Sequence, residues 1–285
     1  MDFGNAIVYL DGRFVPAADA AVSPLDRGFL FADGAYEVIR SYCGHLFEFG
    51  SHLGRLRRSL REIRIDQAAA EGLERICPEL LERCGLSEAE SLVYIQVTRG
   101  TAPRSHRFPP IGTAPTIYAS ANPFDPPKAE RESGVAVLLV PDTRWSRCDI
   151  KSIALLPNIL ARQMAEDAGA AEAVFIRDGI VTEGASSTFC AVFSGTLVTH
   201  PESNVILPGI TKSVVLGLCS RIGIPVSERP IREEELQRAS EMMLLSTTRE
   251  IMPVVSYDGI DVGNGSVGPL TRKLQAAFPE ITPQS

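Results

Sequence analysis

Lysine is scarce in this sequence: of 28 basic residues, only Lys128, Lys151, Lys212 and Lys273 are lysines. Lys151 lies in Trp145-Ser146-Arg147-Cys148-Asp149-Ile150-Lys151-Ser152-Ile153, just before the apolar Ala154-Leu155-Leu156. A lysine partly withdrawn from water has a lowered pKa and becomes a nucleophile toward aldehydes. The alternative is a snorkelling or salt-bridged lysine with Asp149 as its partner. Glu183 stands in Val181-Thr182-Glu183-Gly184-Ala185-Ser186-Ser187-Thr188. A carboxylate among small hydroxyl residues can hold a pyridine nitrogen protonated and preserve its capacity as an electron sink. The alternative is a glutamate that caps a turn.

Two segments have the makings of an anion site. Pro208-Gly209-Ile210-Thr211 puts a glycine turn at a helix start, where backbone N–H groups and the positive dipole end face outward. Ser246-Thr247-Thr248 follows an apolar strand and supplies hydroxyls, and Arg55 on a helix could add charge. Plain N-capping and a solvated arginine are the alternatives. Neither GxGxxG nor a Walker-type loop is present, so a nucleotide-fold signature is missing. Arg104-Ser105-His106-Arg107, between Pro103 and Phe108-Pro109-Pro110, reads as a loop. Its Arg and His could converge on a carboxylate or simply face solvent.

The elements that must position these groups follow from periodicity. Ile7–Leu10 and Arg13–Val15 flank Asp11-Gly12 and predict a hairpin. Tyr36–Tyr42, Leu92–Val97 and Thr116–Ala119 read as strands, and Leu53, Leu56, Leu60 and Ile63 recur at helical spacing. A second helix is predicted over 71–83. Beyond it, Ala121-Asn122-Pro123-Phe124-Asp125-Pro126-Pro127 holds three prolines in five residues, which neither a helix nor a central strand accepts. That composition predicts a smaller domain over 1–120, a linker at 121–127 and a larger domain over 128–285 carrying Lys151. In the latter, Val135–Val140, Ala173–Ile176, Phe189–Phe193, Thr196–Thr199 and Met242–Leu245 read as strands. Helices are expected over 155–168, after Gly209, and around Leu270, Leu274 and Phe278. The fold class is mixed α/β (α+β).

With 285 residues, 45 % of them hydrophobic, the chain can bury an ordinary core. A net charge of −7 argues against a nucleic-acid partner. No run is apolar enough to predict a membrane span, and Met1–Asn5 lacks the pattern of a leader. Cys43, Cys77, Cys84, Cys148, Cys190 and Cys219 form no CxxC pair and stand near no His at metal-ligand spacing. The expectation is a cytoplasmic protein with free thiols and no metal.

Taken in order along the chain, these segments resemble the fold-type IV pyridoxal-phosphate enzymes, and most closely their D-amino-acid transaminase branch. The resemblance is carried by Asp26-Arg27-Gly28, Asp33-Gly34-Ala35-Tyr36-Glu37-Val38, Gln96-Val97-Thr98-Arg99-Gly100 and Arg104-Ser105-His106. It continues through Arg144–Ser152, Thr182–Ser187, Gly209-Ile210-Thr211 and Ser246-Thr247-Thr248. It implies a two-domain fold with pyridoxal 5′-phosphate between the domains, and a ping-pong transfer of the amino group between D-amino acids such as D-alanine and 2-oxo acids such as 2-oxoglutarate. By the same resemblance, Lys151 forms the Schiff base and moves the Cα proton, while Glu183 pairs with the ring nitrogen. Arg55, Ile210, Thr211, Ser246 and Thr247 bind the phosphate. Leu207 packs on the ring, with Ser186 and Ser187 near it. Tyr36, Arg104 and His106 take the substrate carboxylate, the last two reaching in from the other subunit of a homodimer. Branched-chain L-amino-acid transaminases, (R)-amine transaminases and aminodeoxychorismate lyase share the cofactor residues. Pro157-Asn158-Ile159-Leu160 leans toward the branched-chain type and Arg104-x-His106 toward the D-amino-acid type.

Overall fold

Asp11-Gly12 closes the first hairpin, both residues having positive φ, between β1 (Ile7–Leu10) and β2 (Arg13–Pro16). The structure, a computed structural model, describes residues 6–283; Met1–Asn5, where no leader was expected, lie outside the described residues. The chain divides into two compact units. One comprises residues 6–125, 150–154 and 282–283, the other Pro126–Asp149 and Leu155–Ile281.

In the first unit, α1 (Arg27–Phe31) leads into β3 (Gly34–Tyr42) and the short β4 (His45–Leu46). Next come α2 (Phe49–Glu62), α3 (Leu73–Arg83), β5 (Ser91–Thr98) and β6 (Thr116–Pro123). The strands form one antiparallel sheet in the order β2-β1-β6-β5-β3-β4. The helical spacing that predicts α2 buries Leu53, Leu56 and Leu60 with Leu73 and Leu80 of α3 against Ile39, Val93, Ile95 and Ala119 of the sheet. β6 reaches further than its alternation suggests: Pro123 occupies the last position, opposite Ser91, where a missing N–H costs little.

The second unit begins with α4 (Lys128–Ser133) and β7 (Val135–Pro141), then α5 (Leu156–Asp167) and β8 (Glu172–Arg177). Pro157 sits in the first turn of α5, where proline is tolerated. β9 (Ile180–Gly184), β10 (Thr188–Phe193) and β11 (Thr196–Thr199) precede α6 (Ile210–Ile222). The chain ends through β12 (Val226–Glu228), β13 (Ile231–Arg232), β14 (Glu241–Ser246), β15 (Glu250–Tyr257), β16 (Ile260–Asp261) and α7 (Pro269–Ala277). One mixed sheet runs β12-β11-β10-β14-β15-β7-β8-β9-β13, with β16 on β15. β7 is parallel to both neighbours and packs against a core on each face, which explains its unbroken apolar run. Among the described residues no helix is long and apolar enough to cross a membrane.

The compact units do not follow the chain as the proline-rich segment predicts. Ile150–Ala154, lysine included, belongs with the first unit. β4 pairs only with Ser41 and Tyr42, so the outer edge of β3 near Gly34–Tyr36 has no strand from its own sheet. The lysine segment fills it: Tyr36 N donates to Lys151 O (3.1 Å), Ile153 N donates to Gly34 O (3.1 Å), and Ala35 bridges Ser152.

Candidate active site

Each unit holds one group of the residues that the sequence singles out. In the first, Lys151 is pinned by its main chain, whose N–H also donates to Ser59 Oγ of α2 (3.2 Å). Its Nζ lies 4.2 Å from the centroid of the Tyr36 ring, a cation–π contact that leaves the amine partly solvated. Tyr36 stacks obliquely on Tyr94 (5.8 Å), which stands near Tyr118 (6.3 Å) and donates its hydroxyl to Gln96 (2.6 Å). Burial and the two neighbouring tyrosines push the Tyr94 hydroxyl up to about 12, so it stays a neutral donor.

The opposite face of β3 carries a residue to which sequence alone gives no role. Glu37 is wholly buried, and accepts from Arg55 Nε (2.7 Å), Arg55 Nη2 (2.9 Å) and His52 Nδ1 (2.8 Å). Burial pushes this carboxyl up, but the Arg55 charge and fork, the His52 bond and the Lys151 charge outweigh it and hold the group at about 2. His52 and Arg55 stand three apart on α2, hence on one helix face. A carboxylate alternating with Ala35 and Ile39, beside a helix offering His and Arg at that spacing, was the available signal. Arg55 is buried too, and its bidentate engagement makes it a fixed cation.

Arg104 and His106 lie exposed, and Phe31 gathers them: His106 packs at 5.6 Å between ring centroids and the Arg104 guanidinium carbon at 5.2 Å from the Phe31 centroid. Tyr36 has its own ring contacts, to Tyr94 and Lys151.

In the second unit Glu183 lies within β9, a strand that the turn-like reading of its hydroxyl-rich neighbours does not anticipate. The register between β8 and β9 shifts between Val174 and Ile176, and such a bulge re-aims the side chains beside it. Glu183 is buried, paired with Arg144 Nη1, and accepts the Leu207 N–H (3.0 Å). Arg144 is held in turn by Asp142 (2.9 Å at both Nε and Nη2) and lies 4.3 Å from the Phe175 centroid. Burial pushes the Glu183 carboxyl above its ordinary value; Arg144 and the Leu207 N–H pull the other way, and Asp142 adds to the rise.

Around it, Ser186 donates to the buried Glu172 (2.7 Å), and Ser187 Oγ is buried without a hydrogen-bond partner. α6 starts at Ile210 on Gly209, with no side chain capping its first turn. A Cβ at Gly209 would stand 2.5 Å from Thr188 Oγ1, so only glycine lets these two segments approach so closely. Thr211 is buried in that turn; Lys212 beside it points away, donating to His200 O (2.8 Å) and pairing with Glu228 (2.6 Å). Ser246 closes β14, its Oγ accepting from Arg249 N (3.2 Å), and Thr247 begins the turn into β15. An uncapped helix start, an orphaned buried hydroxyl and a buried carboxylate suit a compact phosphate-bearing heteroaromatic, which is the chemistry of pyridoxal 5′-phosphate.

Comparison with known proteins agrees over nearly the whole length. Residues 34–257 match the family described as Amino-transferase class IV. A D-alanine aminotransferase of Bacillus licheniformis is 41 % identical over 272 residues, covering 95 % of each protein. A D-alanine aminotransferase of Staphylococcus haemolyticus is 43 % identical, covering 95 % of this chain and 96 % of that protein. Among solved structures, a branched-chain aminotransferase from Thermoproteus uzoniensis with norvaline has a TM-score of 0.88 at 28 % identity, over 97 % of this chain and 94 % of that one.

Proposed function

The chain belongs to the class IV aminotransferases, and we propose that it transfers amino groups between D-amino acids and 2-oxo acids, with pyridoxal 5′-phosphate as cofactor. The observation carrying this reading is the identity of 41 % to a D-alanine aminotransferase over 95 % of the chain. It is supported by the gathering of Arg104 and His106 on one aromatic ring.

The cofactor supplies an electron sink for charge developing at the substrate Cα. The protein's own residues do the rest. Lys151 binds the cofactor and carries the proton taken from Cα, a task suited to an amine held by its main chain and partly solvated at its tip. Glu183 holds a proton at the ring nitrogen, with Arg144 paired to it in a buried setting. The N–H groups of Ile210 and Thr211, the Thr211, Ser246 and Thr247 hydroxyls and the Arg55 cation hold the phosphate. Leu207 packs against the ring, and Ser186 and Ser187 line it. Tyr36, Arg104 and His106 orient the carboxylate, and with it the Cα–H bond. Arg104 offers a planar fork that a lysine would not replace.

A homodimer is part of this reading. Leu156, Ile159, Leu160 and Met164 each lie more than half exposed on α5, at the spacing of one helix face. Leu160→Glu is expected to shift the protein toward a monomer in size-exclusion chromatography with light scattering. An unchanged elution and mass would remove α5 from the interface.

The function is tested by a half-reaction panel. D-Alanine, D-glutamate and D-aspartate are expected to convert the cofactor absorbance to that of its pyridoxamine form, and L-leucine and L-valine to leave it unchanged. Conversion by the L-amino acids with none by D-alanine overturns the assignment.

A further inference from the structure

We propose that Arg27 is a positioning residue for substrate recognition, clamping the loop that presents Arg104 and His106. Arg27 is 4 % exposed and sits at the start of α1. Its Nη1 donates to the carbonyls of Ser105 (2.7 Å) and Arg107 (3.3 Å), the residues on either side of His106. Its Nε donates to Asp33 (2.8 Å), and its guanidinium carbon lies 4.8 Å from the centroid of the same Phe31 ring that gathers Arg104 and His106.

The anchor behind this fork is rigid. Asp26, 1 % exposed, caps α1 through the Gly28 N–H (2.7 Å) and accepts from Thr98 Oγ1 (2.9 Å) and Thr116 Oγ1 (2.6 Å), tying α1 to β5 and β6. Asp33 is shared with Arg99, which donates to it from Nε (2.8 Å) and Nη2 (2.9 Å) and also reaches Arg64 O (2.9 Å). The Arg99 guanidinium carbon stands 3.9 Å from the Phe108 centroid, so the loop is gripped again just past Arg107. Two guanidiniums on one carboxylate leave N–H groups to spend on carbonyls. Residues 103–108 lack regular structure and are exposed, so these carbonyl bonds and ring contacts supply the order that a ladder would give elsewhere. A planar fork joins an aspartate and two carbonyls at once; an ammonium on a flexible stem does not reproduce that geometry.

The inference rests on the reading that Arg104 and His106 take the substrate carboxylate, and three variants separate the two. Arg27→Gln, Arg27→Lys and Arg104→Gln are compared with the unaltered holoenzyme in kcat and KM for D-alanine and in the rate of tryptic cleavage after Arg107. Both Arg27 variants are expected to raise KM about 10- to 100-fold with kcat little changed, and to speed cleavage. Arg104→Gln is expected to raise KM with cleavage after Arg107 unchanged. If KM rises in Arg104→Gln but neither KM nor cleavage moves in the Arg27 variants, the clamp is wrong and the carboxylate reading stands. If Arg104→Gln leaves KM unchanged, the carboxylate reading fails and the substrate role of Arg27 with it, while the cleavage rates still report whether Arg27 holds the loop. Should Arg27→Gln fail to fold, Arg27→Lys, which keeps the charge on α1, carries the same comparison.

Discussion

Lys151→Ala is expected to lower transamination by about 10⁴-fold or more, since the variant loses the group that binds the cofactor and the one that moves the Cα proton. No other lysine is placed to substitute. Lys212 is committed to His200 O and Glu228, and Lys273 donates to Ile222 O. Lys128 begins α4 and lines a cavity with Arg131, Glu250, Arg272 and Gln275, none of them residues of the site. The protein is expected to remain folded, because residue 151 is held through backbone groups that alanine retains. The side chain adds a cation–π contact worth about 0.5–1 kcal/mol where it is partly solvated. Stopped-flow half-reactions with D-alanine measure the loss, the absorbance band of the lysine-bound cofactor is expected to vanish, and a thermal melt checks the fold. Retention of more than about one-hundredth of the activity would remove Lys151 from the chemistry.

Glu37→Gln carries the second large effect, on stability. The glutamate is buried with Arg55 and His52, and the substitution takes the carboxylate charge away from a buried guanidinium. Breaking a buried pair from one side costs about 3–5 kcal/mol. The pKa gives a second route to the size of the effect. Between the ordinary 4.5 and about 2 in the fold, the linked stability is ~3 kcal/mol. The sign follows from a depressed carboxyl: the contribution is fully present above pH 4.5 and is lost as pH falls through about 2. Melting curves of both proteins at several pH values should show a gap on the order of 10 °C at neutral pH that narrows below 4.5. A gap independent of pH down to about 2 would mean that the charge of Glu37 is not what holds this network.

How far the sequence could be read depends on which signals were local. α2, β7 and the hairpin turns were legible because their periodicity and positive-φ residues act within a few positions. β15 was not, because Pro253 interrupts its pattern. In the fold that proline precedes Val254, the first residue paired to β7, so its missing N–H is not needed there. β9 was hidden because its buried Thr182, Glu183 and Gly184 break the alternation that marks a strand. Of the site, Lys151 and Glu183 could be proposed from chemistry. The partners that set their surroundings, Arg144 for one and Ser59 for the other, lie far along the chain and were invisible to spacing. Glu37 is the sharpest case: its type was plain, but its role depends on a helix face met only in the fold. The discontinuous unit was out of reach for the same reason, since nothing near Ile150 records the open edge of β3.

That borrowed edge sets an order on folding. The Lys151 N–H meets Ser59 from 92 residues away in sequence, and its carbonyl meets Tyr36 from further still. Closing such a loop is slow, and during synthesis the N-terminal strands emerge long before the segment that completes them. Until residues 151–153 arrive, the Tyr36 N–H and Gly34 carbonyl stand on a bare strand edge, the kind of surface that recruits stray chains. Installing the reactive amine and closing that edge are one event, so a chain that has not finished folding has neither a docked lysine nor a protected sheet.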